Sequence, residues 1–179
     1  MLNPETLQTV SLEQQFGTFN MESVDSVPDG MFYLGHTQAP TGGLIEDPNR
    51  IHPAQIETNF LFHNGIIKQK DVTRLQTEHN STDGWDSRLM LMEIQKKGLM
   101  ETLNTIDGSF ACVFNDRNKL RIFRSAAGTL FIDDAMNISS TSFVGASRIE
   151  KDSVFVLDLV SKSVIMEDTF KSKSSPYFY

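Results

Sequence analysis

The segment Phe60–Gly65 constrains the fold more than any other stretch of the sequence. Its first three residues are large and apolar, which is typical of a strand buried in a packed sheet. Asn64 and Gly65 follow, and both residue types tolerate a positive φ, so we predict a tight turn where the chain leaves the core. Taken alone, the Asn-Gly pair indicates a hairpin. The alternative is a binding corner, because the Asn amide and the Gly N–H are two donors that can hold an oxyanion.

The length and the single cysteine predict one domain that needs neither a disulfide bond nor a structural metal to fold. A chain of 179 residues can bury a core of its own. We predict a single domain over residues 1–179, with a shortened N-terminal segment at 1–30, a core at 31–166 and a tail at 167–179. Cys112 is the only cysteine, which excludes an internal disulfide and favours a reducing compartment.

Charge and hydropathy argue against two classes of partner. The net charge of −7 opposes binding to nucleic acid, which requires a basic face. No segment approaches the ~20 apolar residues that span a bilayer, and the N-terminus lacks the pattern of a signal peptide. We therefore expect a cytoplasmic protein with neither a nucleic-acid nor a membrane partner.

Helical periodicity is clearest in the middle of the chain. Between residues 85 and 97 the apolar side chains recur at spacings of three and four, which predicts one buried helix face. Two lysines followed by Gly98 predict the end of this helix. Weaker signals predict further helical segments at Pro4–Leu7, at Asp71–Gln76 with Asp71 as its cap, and at residues 99–106.

From Gly108 onward the apolar period changes to two, which is typical of strands. Ser109–Phe114 and Lys119–Arg124 flank a turn at 115–118 and predict a hairpin. Other strands are predicted at residues 31–37, 59–62, 129–132, 137–141, 154–159 and 163–166, and a loop at 38–50. Strands, then helices, then strands indicate an α+β fold with largely antiparallel sheets.

Five short motifs resemble, in order and near-family spacing, the class II glutamine amidotransferases. The likeness is strongest to the glutaminase domain of glucosamine-6-phosphate synthase and extends to asparagine synthetase. The motifs are Gly35–Gly43, His52-Pro53, Phe62–Ile67, Asp86–Met90, and Asp107–Ala111 with Phe123–Ser125. The resemblance implies the N-terminal-nucleophile hydrolase fold, a four-layer αββα sandwich with antiparallel sheets. Only 35 residues precede His36, so the N-terminal strand and helix are expected to be truncated.

The resemblance also implies a glutamine site. Asn64 and Gly65 correspond to the family's oxyanion hole. Asp86 corresponds to the carboxylate that binds the substrate's α-amino group, with Asp83 as the less favoured candidate. The other implied substrate-binding residues lie in the first motif: His36, Thr37, Gln38 and Thr41.

We expect two departures from the family pattern to remove the family's glutaminase activity. The family's nucleophile is a Cys directly after the initiator Met, and Leu2 stands in that position here. Cys112 lies in a predicted hairpin strand and is interpreted as a small buried hydrophobe. Gln38 replaces the Arg that clamps the substrate carboxylate, and loss of such a charge-assisted pair costs ~2 kcal/mol or more. We therefore assign no catalytic residue and interpret Asn64 and Gly65 as a vestigial oxyanion hole.

Three functions are compatible with this sequence. The first is an amidotransferase-like protein without glutaminase activity that binds a partner protein, glutamine or a related small molecule. The second is a subunit of an active amidotransferase whose Cys comes from another chain or an upstream segment. The third is an interaction protein that uses the Ser-rich stretch 139–147 and the aromatic tail. Neither a cofactor nor a metal is expected, because the histidines at 36, 52, 63 and 79 lack metal-ligand spacing.

Overall fold

The computed structural model describes residues 1–9, 12, 14, 30–37 and 50–173. These residues form three helices and nine strands. The helices are α1 (Gln69–Glu78), α2 (Asp86–Lys97) and α3 (Leu99–Thr105). The strands are β1 (Ala54–Ile56), β2 (Asn59–Ile67), β3 (Gly108–Asn115), β4 (Leu120–Arg124), β5 (Phe131–Ile132), β6 (Ile138–Ser139), β7 (Ser147–Arg148), β8 (Ser153–Asp158) and β9 (Ser163–Thr169).

Two antiparallel sheets organise the described part of the chain. The larger sheet has six strands in the order β1-β2-β3-β4-β8-β9, and the smaller has three in the order β6-β5-β7. The prediction of an α+β protein with antiparallel sheets is confirmed. Of the predicted strands, the hairpin β3–β4 matches best, whereas β1 and β7 had no clear signal in the sequence. They have two or three residues each, too few to show a period.

The period-two pattern of β3 builds a core on each face of the large sheet. Phe110, Cys112 and Phe114 join the cluster that contains the buried side chains of the three helices. Ala111 and Val113 point the other way and join a second cluster with residues of the small sheet and its connections. Helices therefore cover one face of the large sheet, and the small sheet lies on the opposite face.

Helix α2 begins and ends where the sequence predicts. Gly98 follows its last residue with a φ of 87°, and Lys96 and Lys97 occupy its last turn. Leu89 and Ile94 are buried, but so is Glu93, which is fully inaccessible to solvent. The apolar periodicity of the helix gave no sign of that buried charge.

The predicted turn at Asn64-Gly65 is wrong, because β2 continues through both residues to Ile67. Asn64 pairs with Ala111 and Gly65 with Phe110 in an unbroken antiparallel register. Both residue types tolerate turns, but Gly65 is used here in an extended strand with a φ of 148°. The chain changes direction only at Lys68, where α1 begins.

Two other predictions of local structure are corrected. Asp71 does not cap α1, since Lys68 occupies that position; instead its carboxylate accepts the backbone N–H of Asp107 at 2.8 Å. Pro4–Thr6 form a turn and not a helix. Leu2 pairs with Phe32 through two backbone hydrogen bonds of 2.8 and 3.0 Å.

Some predictions fall on residues outside the described ranges: almost all of the loop at 38–50, and the aromatic end of the tail. Of the predicted strand at 31–37, only an isolated bridge at Phe32 is formed. Among the described helices, none is both long and apolar enough to cross a membrane.

Candidate functional site

A cleft of about 850 Å³ opens on the face of the large sheet opposite the helices. Its floor includes Phe62, Asn64 and Val113 from β2 and β3. Residues 30–37 form one wall, and residues 135–141 form another. The cleft thus lies between the two sheets, where the N-terminal segment also packs.

Strand alternation directs Asn64 into this cleft. Leu61 lies in the helix-side core, and His63 hydrogen-bonds the helix residue Ser87. Successive side chains of a strand point to opposite faces, so Phe62 and Asn64 face the other side. Asn64 is exposed, and its side chain is one of the polar groups of the floor.

Gly65 permits the close approach of β2 and β3 beside Asn64. A Cβ atom at this position would overlap the carbonyl oxygen of Ser109. Its φ of 148° is also one that L side chains rarely adopt. Both observations show that a glycine is required here, for a reason other than the predicted turn.

Asp86 lies at the start of α2 and is engaged within the protein. Its Oδ2 accepts the backbone N–H of Ile67 at 3.2 Å, and its Oδ1 accepts the N–H of Ser87 at 2.8 Å. It is not among the described residues that line the cleft. Asp83 is also engaged, by the N–H of Trp85 and by Arg50.

The structure therefore brings some of the implied site residues together and separates others. His36, Thr37 and Asn64 line the same cleft. Asp86 lies near the C-terminal end of β2 on the helix side. Gln38 and Thr41 lie outside the described residues.

A cluster of three histidines links the cleft to α2. The rings of His36 and His52 are 4.1 Å apart, centroid to centroid. His63 lies behind them, with its Nδ1 3.0 Å from the Oγ of Ser87, which is itself 3.5 Å from the Nε2 of His52. The sequence shows these histidines only as separate motif residues, and the fold brings them together.

Burial keeps this cluster neutral. Burial, together with the neighbouring His63, lowers the pKa of His36 to about 4, and burial together with His36 and His63 lowers that of His52 to about 2. Burial also lowers the pKa of His63, although the nearby Asp86 carboxylate opposes the change. At neutral pH the three rings are uncharged and act as hydrogen-bonding and packing groups.

Several residues of the cleft were missed from the sequence. The wall at 135–141 contributes Asn137, Ser139 and Thr141, and Lys162 lies at the β8–β9 turn. The sequence predicts the Ser-rich stretch 139–147 only as a candidate contact surface of an interaction protein, and its first three residues line the cleft. No sequence motif identifies Lys162 as a cleft residue, because its position depends on the turn that joins β8 to β9.

The two positions where a thiol nucleophile was considered are both buried. Leu2 is 2% exposed in the apolar cluster between the sheets, and Cys112 is 1% exposed. Burial raises the pKa of the Cys112 thiol well above its usual value, and the charge of Asp86 raises it further. Among the described residues, no group of three or more metal-ligating side chains is close enough to hold an ion.

Comparisons with known proteins bear on the fold. No protein-family model and no curated protein matches this sequence. Among solved structures, the chain is similar to the glutamine phosphoribosylpyrophosphate amidotransferase from B. subtilis in complex with ADP and GMP, with a TM-score of 0.55 and 16% sequence identity. The match covers 74% of this chain and 33% of that chain, so the chain spans about a third of the length of that enzyme. The resemblance to class II glutamine amidotransferases carried by the five motifs is thus confirmed at the level of the fold.

Proposed function

We propose that this protein is a glutamine amidotransferase-like domain without glutaminase activity, which acts by binding a small ligand or a partner protein in the cleft. The observation that carries the proposal is that Asn64 is retained in the cleft while Leu2 is buried. The cleft keeps a donor of the oxyanion corner, and the position of the family's nucleophile holds an aliphatic side chain packed in the core.

The architecture proposed is the family's four-layer sandwich. One helical layer, a six-stranded sheet and a three-stranded sheet are present in the described ranges. Leu2 is bridged to Phe32 at the N-terminal end of the described residues.

Hydrolysis of an amide by this family needs an accessible nucleophile and a base beside it. Leu2 has no nucleophilic atom, and the Cys112 side chain points into the helix-side core. Thr37, Ser139 and Thr141 bring hydroxyl groups to the cleft, but none of them hydrogen-bonds a histidine in the described part of the chain. An oxyanion donor without an attacking group supports binding and not turnover.

The lining of the cleft indicates the kind of ligand it accepts. Its polar groups are mostly neutral, including Asn64, Asn137 and Thr141, and its apolar floor contains Phe62 and Val113. Such a mixture favours a small polar molecule with an apolar part, oriented by hydrogen bonds. Glutamine and related amides have this character.

The test combines an activity assay with a titration. Glutamate release and NMR amide shifts are measured with L-glutamine for the wild type, Asn64→Ala and the matched control Asn118→Ala, an exposed asparagine of the β3–β4 turn. We expect no glutamate release from any of them. Shifts of cleft residues in the wild type and the control, but not in Asn64→Ala, would support the small-ligand form.

Two other outcomes have defined meanings. Glutamate release by the wild type that Asn64→Ala abolishes would overturn the proposal. Absence of any glutamine-induced shift would exclude glutamine and direct the search to a partner protein, by affinity capture with wild type and Asn64→Ala as bait.

A second candidate function is a subunit of an active amidotransferase whose Cys comes from another chain or an upstream segment. The geometry of Asn64 and Gly65 favours it, because the close β2–β3 approach has kept its glycine. The DNA upstream of Met1 and the neighbouring genes would be read for an in-frame or separate Met-Cys-Gly start. Co-expression with such a segment should then produce glutaminase activity, and its failure to do so would exclude this candidate.

A further inference from the structure

The cleft is a long groove, and Asn64 and Lys162 line it near opposite ends. Asn64 belongs to a row of paired residues that crosses the large sheet and ends at Ser153 on β8. Lys162 lies in the turn that follows Asp158, the last residue of β8. Five residues along β8 and three strand spacings across the sheet separate the two positions by roughly 20 Å. A single amino acid is much shorter than this groove and can contact only one of its ends.

One wall of the groove has unpaired backbone groups. Residues 33–37 line the groove, and within the described part of the chain their backbone makes no hydrogen bond. The pairing of Phe32 with Leu2 ends just before them. Residues 33, 35 and 37 are exposed. Free backbone N–H and C=O groups beside a groove are what an added strand requires when a peptide is recognised by strand addition.

The opposite wall and the floor also suit an extended peptide. β6 lies at the edge of the small sheet, and its two residues line the groove. Between the walls the floor carries Phe62 and Val113, which offer apolar contacts to the side chains on one face of a bound strand. The groove therefore combines backbone pairing groups with an apolar floor.

The charge of the groove is concentrated at one end. Lys162 is the only charged side chain among the described residues that line the groove, and none of them has a carboxylate. Within the same described ranges Lys162 has no ion-pair partner. The carboxylate of Asp158, at the start of the turn, is engaged, because its Oδ1 accepts the N–H groups of Val160 and Ser161 at 3.0 Å each. The Lys162 ammonium therefore favours an anionic group on whatever occupies this end.

We propose that the groove binds an extended segment of a partner protein, about six residues long, with an acidic side chain of that segment on Lys162. The backbone of the segment pairs with residues 33–37, and its alternate side chains contact Phe62 and Val113. A glutamine molecule lacks the length to join Asn64 to Lys162, whereas six extended residues span the distance. This inference rests on the proposed function and specifies its partner-protein form.

Isothermal titration calorimetry with defined hexapeptides tests the charge. The peptides alternate valine and threonine, are acetylated and amidated, and carry aspartate, asparagine or lysine at one end or the other. The wild type and Lys151→Met, at an exposed lysine outside the groove, should bind aspartate peptides about three- to fivefold more tightly than asparagine peptides. Lys162→Met should lose this preference, and Lys162→Glu should reverse it in favour of lysine peptides.

Methylation of the peptide amides tests the backbone pairing. N-methyl groups on alternate residues remove the N–H donors from one edge of an extended peptide, and the two alternate patterns remove them from opposite edges. At least one pattern should weaken binding to the wild type by about tenfold or more. Far-ultraviolet circular dichroism would check the fold of each protein variant. Met and Glu are unbranched at Cβ like Lys, so neither substitution adds strain at the φ of 53° of Lys162.

The outcomes that overturn this inference differ from those that overturn the proposed function. The inference fails if no hexapeptide binds the wild type, if aspartate and asparagine peptides bind it equally, or if Lys162→Met keeps the preference for aspartate. Undiminished binding of both methylated patterns would also reject it. The proposed function fails on glutamate release that Asn64→Ala abolishes. Glutamine-induced shifts that Lys162→Met leaves unchanged, with no peptide bound, would retain the small-ligand form and reject the peptide.

Discussion

Gly65 and Ser109 approach so closely across β2 and β3 that a Cβ atom on Gly65 would overlap the Ser109 carbonyl oxygen. The contact holds the end of β2 against β3 in the register that pairs Asn64 with Ala111. Asn64 therefore faces the cleft because of strand pairing, and its glycine neighbour makes that pairing possible.

Gly65→Ala should lower the free energy of unfolding by about 2–4 kcal/mol. The added methyl group meets backbone atoms that cannot move alone, and the φ of 148° adds strain. Urea denaturation would measure the change. Gly98→Ala separates the two causes, since Gly98 has a φ of 87° but open space around it, and it should cost less. Equal costs for the two variants would contradict the role of the close approach.

The histidine cluster should make the protein less stable as the pH falls below about 6.5. The pKa of His36 is lowered to about 4 and that of His52 to about 2, so the unfolded chain binds protons in this range that the folded chain does not. Stability then rises with pH, on the order of 1.4 kcal/mol per pH unit for each such histidine.

The variant His52→Gln tests this dependence. Removing one buried histidine should reduce the proton uptake on unfolding by about one between pH 5 and 6. Chemical denaturation at a series of pH values gives the slope for wild type and variant. Parallel curves for the two proteins would contradict the prediction.

Removing the charge of Glu93 should lower the free energy of unfolding more than removing most other charges of the protein. Its carboxylate lies 2.8 Å from both His79 Nε2 and Lys97 Nζ and 3.5 Å from Arg74, and it is fully buried. Glu93→Gln leaves Lys97 and Arg74 without their central anionic partner and should cost about 3 kcal/mol. Glu167→Gln, at a partly exposed carboxylate that pairs with Lys119 and Arg121, is the control and should cost less than about 1 kcal/mol.

Glu93 also gives a second pH window. Burial alone would raise its pKa, but the hydrogen bonds from Lys97 and His79 outweigh burial and lower it. A carboxyl with a lowered folded pKa stabilises the protein above its ordinary value of 4.5, and this contribution is lost as the pH falls through the folded pKa. The stability of Glu93→Gln should therefore vary less than that of the wild type below pH 4.5.

Cys112 should be unreactive in the folded protein. It is 1% exposed and its pKa is raised by burial, so little thiolate is present at neutral pH. Alkylation should be slow in native buffer and complete in denaturant. Cys112→Ala should cost about 1 kcal/mol, because the side chain packs in the helix-side core. Alkylation of the native protein at the rate of a free thiol would contradict this assignment.

Helix α2 and the hairpin β3–β4 show how much of the fold follows from local pattern. Each combines a long apolar period with a clear stop: Gly98 for the helix, and the turn at 115–118 for the hairpin. The class of fold and the likeness to the amidotransferases could also be predicted from the sequence. Both predictions use local patterns and ordered motifs at near-family spacing, which can be seen without knowing any tertiary contact.

The histidines and Glu93 show what local pattern could not reveal. His36, His52 and His63 are far apart in sequence, and only the packed chain brings the rings of His36 and His52 together and places His52 and His63 beside Ser87. Glu93 lies on a helix face that periodicity describes as apolar. Its burial depends on α1, which brings Arg74 and His79 to it.

By itself, the sequence determined that the chain forms an antiparallel α+β protein. The tertiary structure decided that Asn64-Gly65 lies in a strand and not in a turn. Taken alone the pair indicates a turn, but β3, which begins more than forty residues later, pairs with β2 through both residues and holds them in a strand. Local preferences are weak compared with a full set of strand hydrogen bonds and the burial of two sheet faces.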